Sequence, residues 1–411
     1  MSDRVLSVPL PSRAALPGQP GVVLAALAGF FALGAAISLV LAPAGGAPRM
    51  VALLALGGGL GVALYHASFG FTAAYRVFLS ERRSAGLRAQ LVMLALAVVL
   101  FFPVLGSGAL FGQPVSGNAA PLGPSVALGA FLFGVGMQLG GGCASGTLFA
   151  AGGGSTRMVV TLAFFVAGSV VGVAHLPWWQ TLPALPAVSL VKSLGWPVAL
   201  ALNLAAFAAL YGGVRALERR RHGAVQPISG AFGARRLLAG PWPVVAGAVA
   251  LALGNFATLW LAGRPWGITS AFGLWGGKIA LAAGGDLSGW GGWSAPAMQG
   301  ALARPLLADI TSVMDFGIML GALLAAGLAG RFAPVRRVPW RHLAGSAVGG
   351  LLLGYGARLA YGCNIGAFFS GIASGSLHGW LWIAAALAGC AVGIRLRPAF
   401  GMAPPPPAGS C

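Results

Sequence analysis

The sequence predicts an all-α polytopic membrane protein of about ten transmembrane helices, with short broken or re-entrant helices, folded as two inverted-topology repeats. Three observations carry this reading. Apolar stretches of membrane-spanning length recur along the chain, shorter apolar pieces follow glycine interruptions between them, and strings from one half reappear in the other. Only 8% of the 411 residues are charged while 58% are hydrophobic, whereas a soluble domain carries about a quarter charged residues. A chain so poor in charge cannot cover a water-facing surface.

The long apolar segments lie at 21–42, 50–69, 89–105, 125–142, 158–174, 195–214, 241–263, 309–330, 343–360 and 377–394. Each is close to the ~20 residues a helix needs to cross a hydrocarbon core. Arg4 and Arg13 precede the first run, as in a signal peptide. That run exceeds the ~7–15 residues of a signal h-region, so it reads as a retained first span. The pieces at 71–79, 144–151, 268–283 and 364–373 are too short to span alone, and each follows a Gly or Gly-Cys interruption. Glycine in such a place either lets helices approach closely or permits a break whose backbone lines a protected cavity.

The formal charge of +19 raises the question of a nucleic-acid partner. Its placement argues against one. Arg82, Arg83 and Arg88, then Arg215 to Arg236, then Arg331 to Arg341, sit in short connections, which is the positive-inside pattern of cytoplasmic loops. Residues 76–88, 215–240 and 331–341 are therefore expected in the cytoplasm. The uncharged 106–124 connection and Trp178-Trp179 are expected outside. Ten spans threaded in this way put both termini inside, with a disordered tail over 398–411.

The chain reads as one membrane domain, 1–411, divided by the basic linker 215–240 into a first repeat half, 21–214, and a second, 241–397. LALG at 54–57 matches LALG at 251–254, and at the same offset Gly70-Phe71-Thr72 meets Gly267-Ile268-Thr269 and Tyr75 meets Phe272. GVGMQLGGGCASG (134–146) then matches GYGARLAYGCNIG (354–366), and AGSVVG (167–172) matches AGCAVG (388–393). The threading runs the matched segments in opposite directions, an arrangement that places a transport site at the repeat interface near the midplane.

Candidate site residues cluster at the matched breaks. A half-helix beginning there exposes unpaired N–H groups and the positive end of its dipole, which suits an anion. Cys143 and Cys363 stand behind Gly142 and Gly362, and Ser145, Gly146, Thr147, Asn364 and Gly366 let backbone and hydroxyl groups approach a ligand. A single buried cysteine is ordinarily a small hydrophobe; two at equivalent points of a repeat are candidates for a pathway. Gly70 and Gly267 are equivalent hinges, each followed by a threonine, Thr72 and Thr269; they either shape the path or pack helices. Arg358 is an intramembrane charge that either attracts the anion or caps carbonyls and snorkels to the cytoplasmic side, and Lys278 is a weaker case. Asp309 and Asp315 head a span, as a proton relay or as interfacial anchors. Cys390 aligns with Ser169 inside a helix and reads as packing, and Cys411 lies in the tail. No CxxC pair and no metal-ligand spacing occurs, so neither metal nor cofactor is expected.

At YGCNIGAFFSGIASGSLHGWLW (361–382), GGGCASGT (140–147) and GITSAFGLWGGK (267–278) the chain resembles the YeeE/YedE family of bacterial membrane proteins. The resemblance covers most of the chain and implies an inner-membrane permease, not an enzyme, for thiosulfate or a related sulfur anion. It implies that Cys143 and Cys363 contact the substrate through their thiols. A further family cysteine belongs where this chain has Gly70. A small cytoplasmic sulfur-carrier protein is an implied partner beside membrane lipid. A neutral thiol is a weak donor able to hold a polarisable anion moderately, as passage requires; a thiolate would repel it, so both thiols are expected protonated. The alternatives are a membrane thiol-redox protein using Cys143 and Cys363, which would want a resolving cysteine of lowered pKa, and a scaffold subunit.

Overall fold

The computed structural model describes residues 18–402. Among them ten helices are long and apolar enough to cross a membrane, and the only strands are a two-residue pair, Ala109–Leu110 with Gln113–Pro114. The protein is an all-α, multi-pass membrane protein. Residues 1–17 and 403–411, and with them both expected cytoplasmic termini, Pro404–Pro407 and Cys411, lie outside the described residues.

The first half comprises α1 (Pro20–Leu41), α2 (Ala47–Ala67), α3 (Phe71–Glu81), α4 (Ala85–Ser107), α5 (Pro124–Gly140), α6 (Ala144–Gly152) and α7 (Thr156–Gln180), then the short α8 (Leu190–Leu194) and the long α9 (Trp196–His222). After α10 (Ala234–Ala239), the second half comprises α11 (Val244–Ala262), α12 (Thr269–Ala282), α13 (Pro296–Ala303), α14 (Ile310–Leu328) and α15 (Trp340–Leu359). A single π-turn, Asn364–Phe369, leads into α16 (Ser370–Ala373), and α17 (His378–Leu396) closes the set. Proline at the first turn of α1, α2, α5 and α9 uses a position whose N–H has no intrahelical partner. The breaks fall where left-handed residues stop a helix: Ser68 after α2, Gly141 after α5, and Tyr361 with Gly362 after α15. Gly141 (φ +88°) and Gly362 (φ +144°) hold conformations an L-residue rarely adopts.

The two halves pack through bare backbone. On α5, Gly129 faces Gly356 and Ala360 of α15, and Gly136 faces Gly349 and Leu353. Rising numbers on one helix meet falling numbers on the other, so α5 and α15 are antiparallel. Likewise Leu60 of α2 meets Gly254 of α11 and Ala67 meets Gly247. Both pairs are the sequence-matched equivalents, so the repeats are inverted in the structure. The flanking contacts repeat as well. Gly168 of α7 packs on Leu351 of α15, and its twin Gly389 of α17 packs on Phe131 of α5. Close approach of this kind gives van der Waals packing where lipid supplies no hydrophobic drive.

Three details differ from the sequence reading. Helix α9 runs through His222, so the 215–240 connection begins as helix and includes α10. Glu218 on that extension is fully buried, accepting from the Ser84 N–H (3.1 Å), the Ser84 hydroxyl and the Gln226 N–H (3.0 Å), beside Arg88 (3.5 Å) and Arg83 (3.7 Å). Residues 398–402 of the expected disordered tail are folded: Arg397–Phe400 forms a 3₁₀ turn and Met402 is buried against Arg157. The two halves also differ from each other: residues 283–309 separate α12 from α14, whereas their counterparts α3 and α4 are joined by Arg82, Arg83 and Ser84 alone.

Two outcomes follow from the packing. Glu218→Ala strands buried Arg88 without its carboxylate and should lower stability by about 3–5 kcal/mol, with Glu218→Gln intermediate; thermal unfolding in detergent measures both. A Cβ on Gly349 would lie 2.6 Å from the Gly140 Cα, so Gly349→Val should lower the unfolding temperature more than Gly59→Val, whose Cβ meets nothing within 4 Å.

Candidate functional site

Cys143 occupies the N-cap of α6 and is 1% exposed. Its sulfur accepts from the Gly146 N–H (3.4 Å) and lies 3.4 Å from the Ser145 hydroxyl, while Thr147 Oγ1 donates to the Cys143 carbonyl (2.8 Å). The thiol thus stands where an N-cap oxygen normally would. Cys363 heads the π-turn and is fully buried, its carbonyl taking the Ala367 and Phe368 N–H groups (2.9 and 3.2 Å). Behind each cysteine the glycine lies close under the following turn. A Cβ on Gly142 would sit 3.2 Å from the Thr147 nitrogen, and one on Gly362 would sit 2.8 Å from the Ala367 nitrogen. π-turns concentrate at functional sites.

Two cavities lie around the second of these turns. One, of 440 Å³, is lined by Gly267, Thr269, Arg358, Gly362 and Gly366 together with Arg264 and the uncharged 116–121 segment. The other, of 170 Å³, is lined by Gly70 and Gln90 with Arg83 and Gln226, the last two from the basic connections. The turn that starts at Cys363 reaches toward both. Gly362 and Gly366 face the larger cavity, while Phe368 contacts Phe71, next to Gly70 at the smaller one (ring centroids 6.4 Å). Neither thiol lines either of these two cavities, and both thiols are buried, so the centre between them is closed.

Polar side chains finish the breaks. Arg358 donates to the Thr269 carbonyl and leaves its Nε without a partner. It lies 17 residues beyond Arg341 on one helix, about 25 Å at 1.5 Å per residue, and so at the opposite end of α15 from that basic connection, in the cavity of the uncharged loop. Its equivalent on α5 is Gln138, whose Nε2 donates to the Thr72 carbonyl (3.2 Å). One break is therefore closed by a cation and its twin by an amide. Thr72 itself is buried, with an unpartnered hydroxyl. Asn364 donates to the Tyr75 hydroxyl (3.1 Å), tying the second cysteine turn to α3, and Asn118 donates to the Gly366 carbonyl (2.7 Å). Cys390 is buried in α17 with its thiol directed at the Gly134 carbonyl (3.5 Å). Lys278 is held by the Leu302 and Arg304 carbonyls.

Gln138, Tyr75, Asn118 and Arg264 were not among the sequence candidates. For Gln138 a signal existed, since it stands opposite Arg358 in the matched strings; for Asn118, alone in an uncharged loop, none did.

Comparison with known proteins fits this architecture. The sequence profile of the sulphur-transport family matches residues 66–392. A thiosulfate transporter, TsuA, from Spirochaeta thermophila is 28% identical over 343 residues, which cover 78% of this chain and 91% of that protein. The probable transporter YedE of Escherichia coli is 32% identical over 162 residues, 39% of each chain, and that of Salmonella typhimurium is 35% identical over 143 residues, 34% of each. With its inverted halves and paired broken helices, the chain belongs to the sulphur-transport (YeeE/YedE) family of membrane proteins.

Proposed function

We propose that this protein is an inner-membrane permease that takes up thiosulfate or a related sulfur anion, with Cys143 and Cys363 at the narrow centre of its path. The observation that carries this reading is the pair of inverted half-helices, each headed by a buried thiol, between two cavities. The relative named as a thiosulfate transporter matches over most of its length, which supports the substrate class.

An anion approaching from the larger cavity meets Arg264, Arg358 and the start of α12, a field that favours negative charge. At the centre it exchanges hydration for N–H groups, hydroxyls and thiols: Ser145, Gly146 and Thr147 on one side, Gly362, Asn364 and Gly366 on the other. Sulfhydryl donors bind weakly, so the anion is recognised and released. Gly267 with Thr269, and Gly70 with Thr72, act as the hinges whose movement opens the centre to either cavity. Release on the basic side would bring the anion to a small cytoplasmic sulfur carrier, and membrane lipid surrounds the rest. The thiol-redox alternative gains no support from the relatives, which are named as transporters.

Labelled-thiosulfate uptake into proteoliposomes tests the reading. Cys143→Ala and Cys363→Ala should each lower uptake at least tenfold, about 1.4 kcal/mol of lost stabilisation, while the serine variants keep part of it; two alanine variants transporting like wild type would sink the assignment. Gly70→Cys should fold normally and transport no worse than wild type, because a Cβ there meets nothing nearer than 3.8 Å and φ is −111°. A collapse of uptake in that variant would show that the bare hinge is required.

A further inference from the structure

Asp315 is the one carboxyl in the membrane interior that the path above does not use. It lies in the second turn of α14, is fully buried, and neither carboxylate oxygen has a hydrogen-bond partner. An ionised carboxylate in that position is strongly disfavoured; the site is stable only when the carboxyl carries a proton or a cation. Among the described residues no cation pairs with it. Helix α1 has no ionisable residue, and α2 meets α14 through Gly57, Gly58 and Gly61. On α2, Arg49 is held by the Leu261 carbonyl and His66 lies against Gly240 and Trp242, with Tyr65 beside it. Helix α6 contributes only its cap, Cys143. On α12, Lys278 is held by two carbonyls, and Arg235 and Arg236 of α10 are exposed. Asp309 accepts from the Ser312 N–H and hydroxyl (2.8 and 2.7 Å). Asp309 and the Cys363 thiol are within electrostatic reach of Asp315.

A chain of hydroxyls leads from the larger cavity to within one helical turn of Asp315. Ser270, which lines that cavity, donates to Thr311 Oγ1 (3.0 Å), and Arg264 Nη2 donates to the same oxygen (3.0 Å). Both lone pairs of Thr311 Oγ1 are thereby engaged, which leaves its own O–H free to donate. Thr311 and Asp315 are four residues apart on one face of α14, about 6 Å along the axis, with Asp315 the deeper. Met319, a further turn along, packs against Gly152 at the end of the α6 half-helix.

Building on the permease reading, we propose that Asp315 is the binding site for a coupling proton, so that the anion enters together with H⁺. The carboxylate takes a proton from cavity water: the Ser270 and Thr311 hydroxyls carry the chain to one turn short of it, and rotation of the Asp315 side chain toward Thr311 closes that last step. When the Cys363 turn opens toward the Gly70 side, it returns that proton to water there. Only O–H bonds are made and broken. A dianion moving alone works against an inside-negative potential with both charges; one accompanying proton reduces the net charge moved and adds the pH gradient as a driving force.

The experiment uses the full chain in proteoliposomes holding a pH-sensitive dye, with labelled thiosulfate added outside under an inward proton gradient. Wild type should acidify the lumen in a thiosulfate-dependent manner, and its uptake should rise several-fold over the same vesicles treated with a protonophore. Asp315→Asn should lose both responses, and Asp315→Glu, which restores a titratable carboxyl, should recover lumen acidification. Thiosulfate uptake by wild type without lumen acidification overturns the proton site while leaving the permease reading intact. An Asp315→Asn protein that still acidifies the lumen likewise overturns it. No uptake by wild type under any gradient overturns the permease reading and the proton site together.

Discussion

Every break in a helix at membrane depth leaves N–H and C=O groups without intrahelical partners, and hydrocarbon offers them nothing. The broken helices exist here because side chains from other helices complete them. Arg157 and Arg397 donate to the Leu139 and Gln138 carbonyls at the end of α5 (2.7 and 2.9 Å), and Thr161 to Gly140 (3.1 Å). Asn255 accepts the Trp266 N–H (2.8 Å), Ser370 donates to the Trp266 carbonyl (2.7 Å) and Trp382 to that of Gly362 (3.3 Å). The glycine faces of α5 and α15 then bring the two breaks close enough to share one centre. Remove these caps and the irregular backbone would have to refold into helix, closing the space that a ligand needs.

The same capping rule sets the electrostatics. At the Thr269 carbonyl the cap is a guanidinium and at the Thr72 carbonyl it is an amide, so geometry is conserved between the halves while charge is not. Because Arg358 is engaged with a carbonyl dipole, its field is softened rather than presented whole; on the permease reading proposed above, that suits an ion that must leave again. Fixed, unshielded cations at the centre would bind a divalent anion tightly and trap it.

Much of this was legible in the chain before any coordinates. Span number followed from apolar length, and the four short pieces were found because glycine or Gly-Cys interruptions precede them; the helices there begin at Phe71, Ala144, Thr269 and, after the π-turn, Ser370. The inversion was readable from loop charge combined with the matched strings, and the paired backbone contacts bear it out. What escaped was long-range and polar. Nothing local distinguishes Asn118 from any loop asparagine; its partners lie some 250 positions away (|i−j| 248 and 256). Glu218 looked like part of a solvated basic linker because burial of a carboxylate depends on which donors surround it, and Ser84, Arg88 and Gln226 meet it only after folding. The sequence puts Arg358 on a helix but leaves its direction open, since snorkelling and inward capping differ only in which end of the helix is near.

The inverted repeat also makes the molecule its own control. A residue that matters only for holding a broken helix together has a twin performing the same task in reversed orientation, in the same membrane and the same preparation. Substitutions at Gly168 and Gly389, or at Gly142 and Gly362, can therefore be compared without reference to any second protein. Where the twins respond alike, the role belongs to the architecture. Where they diverge, as Gln138 and Arg358 must, the difference measures what each side of the membrane asks of the path.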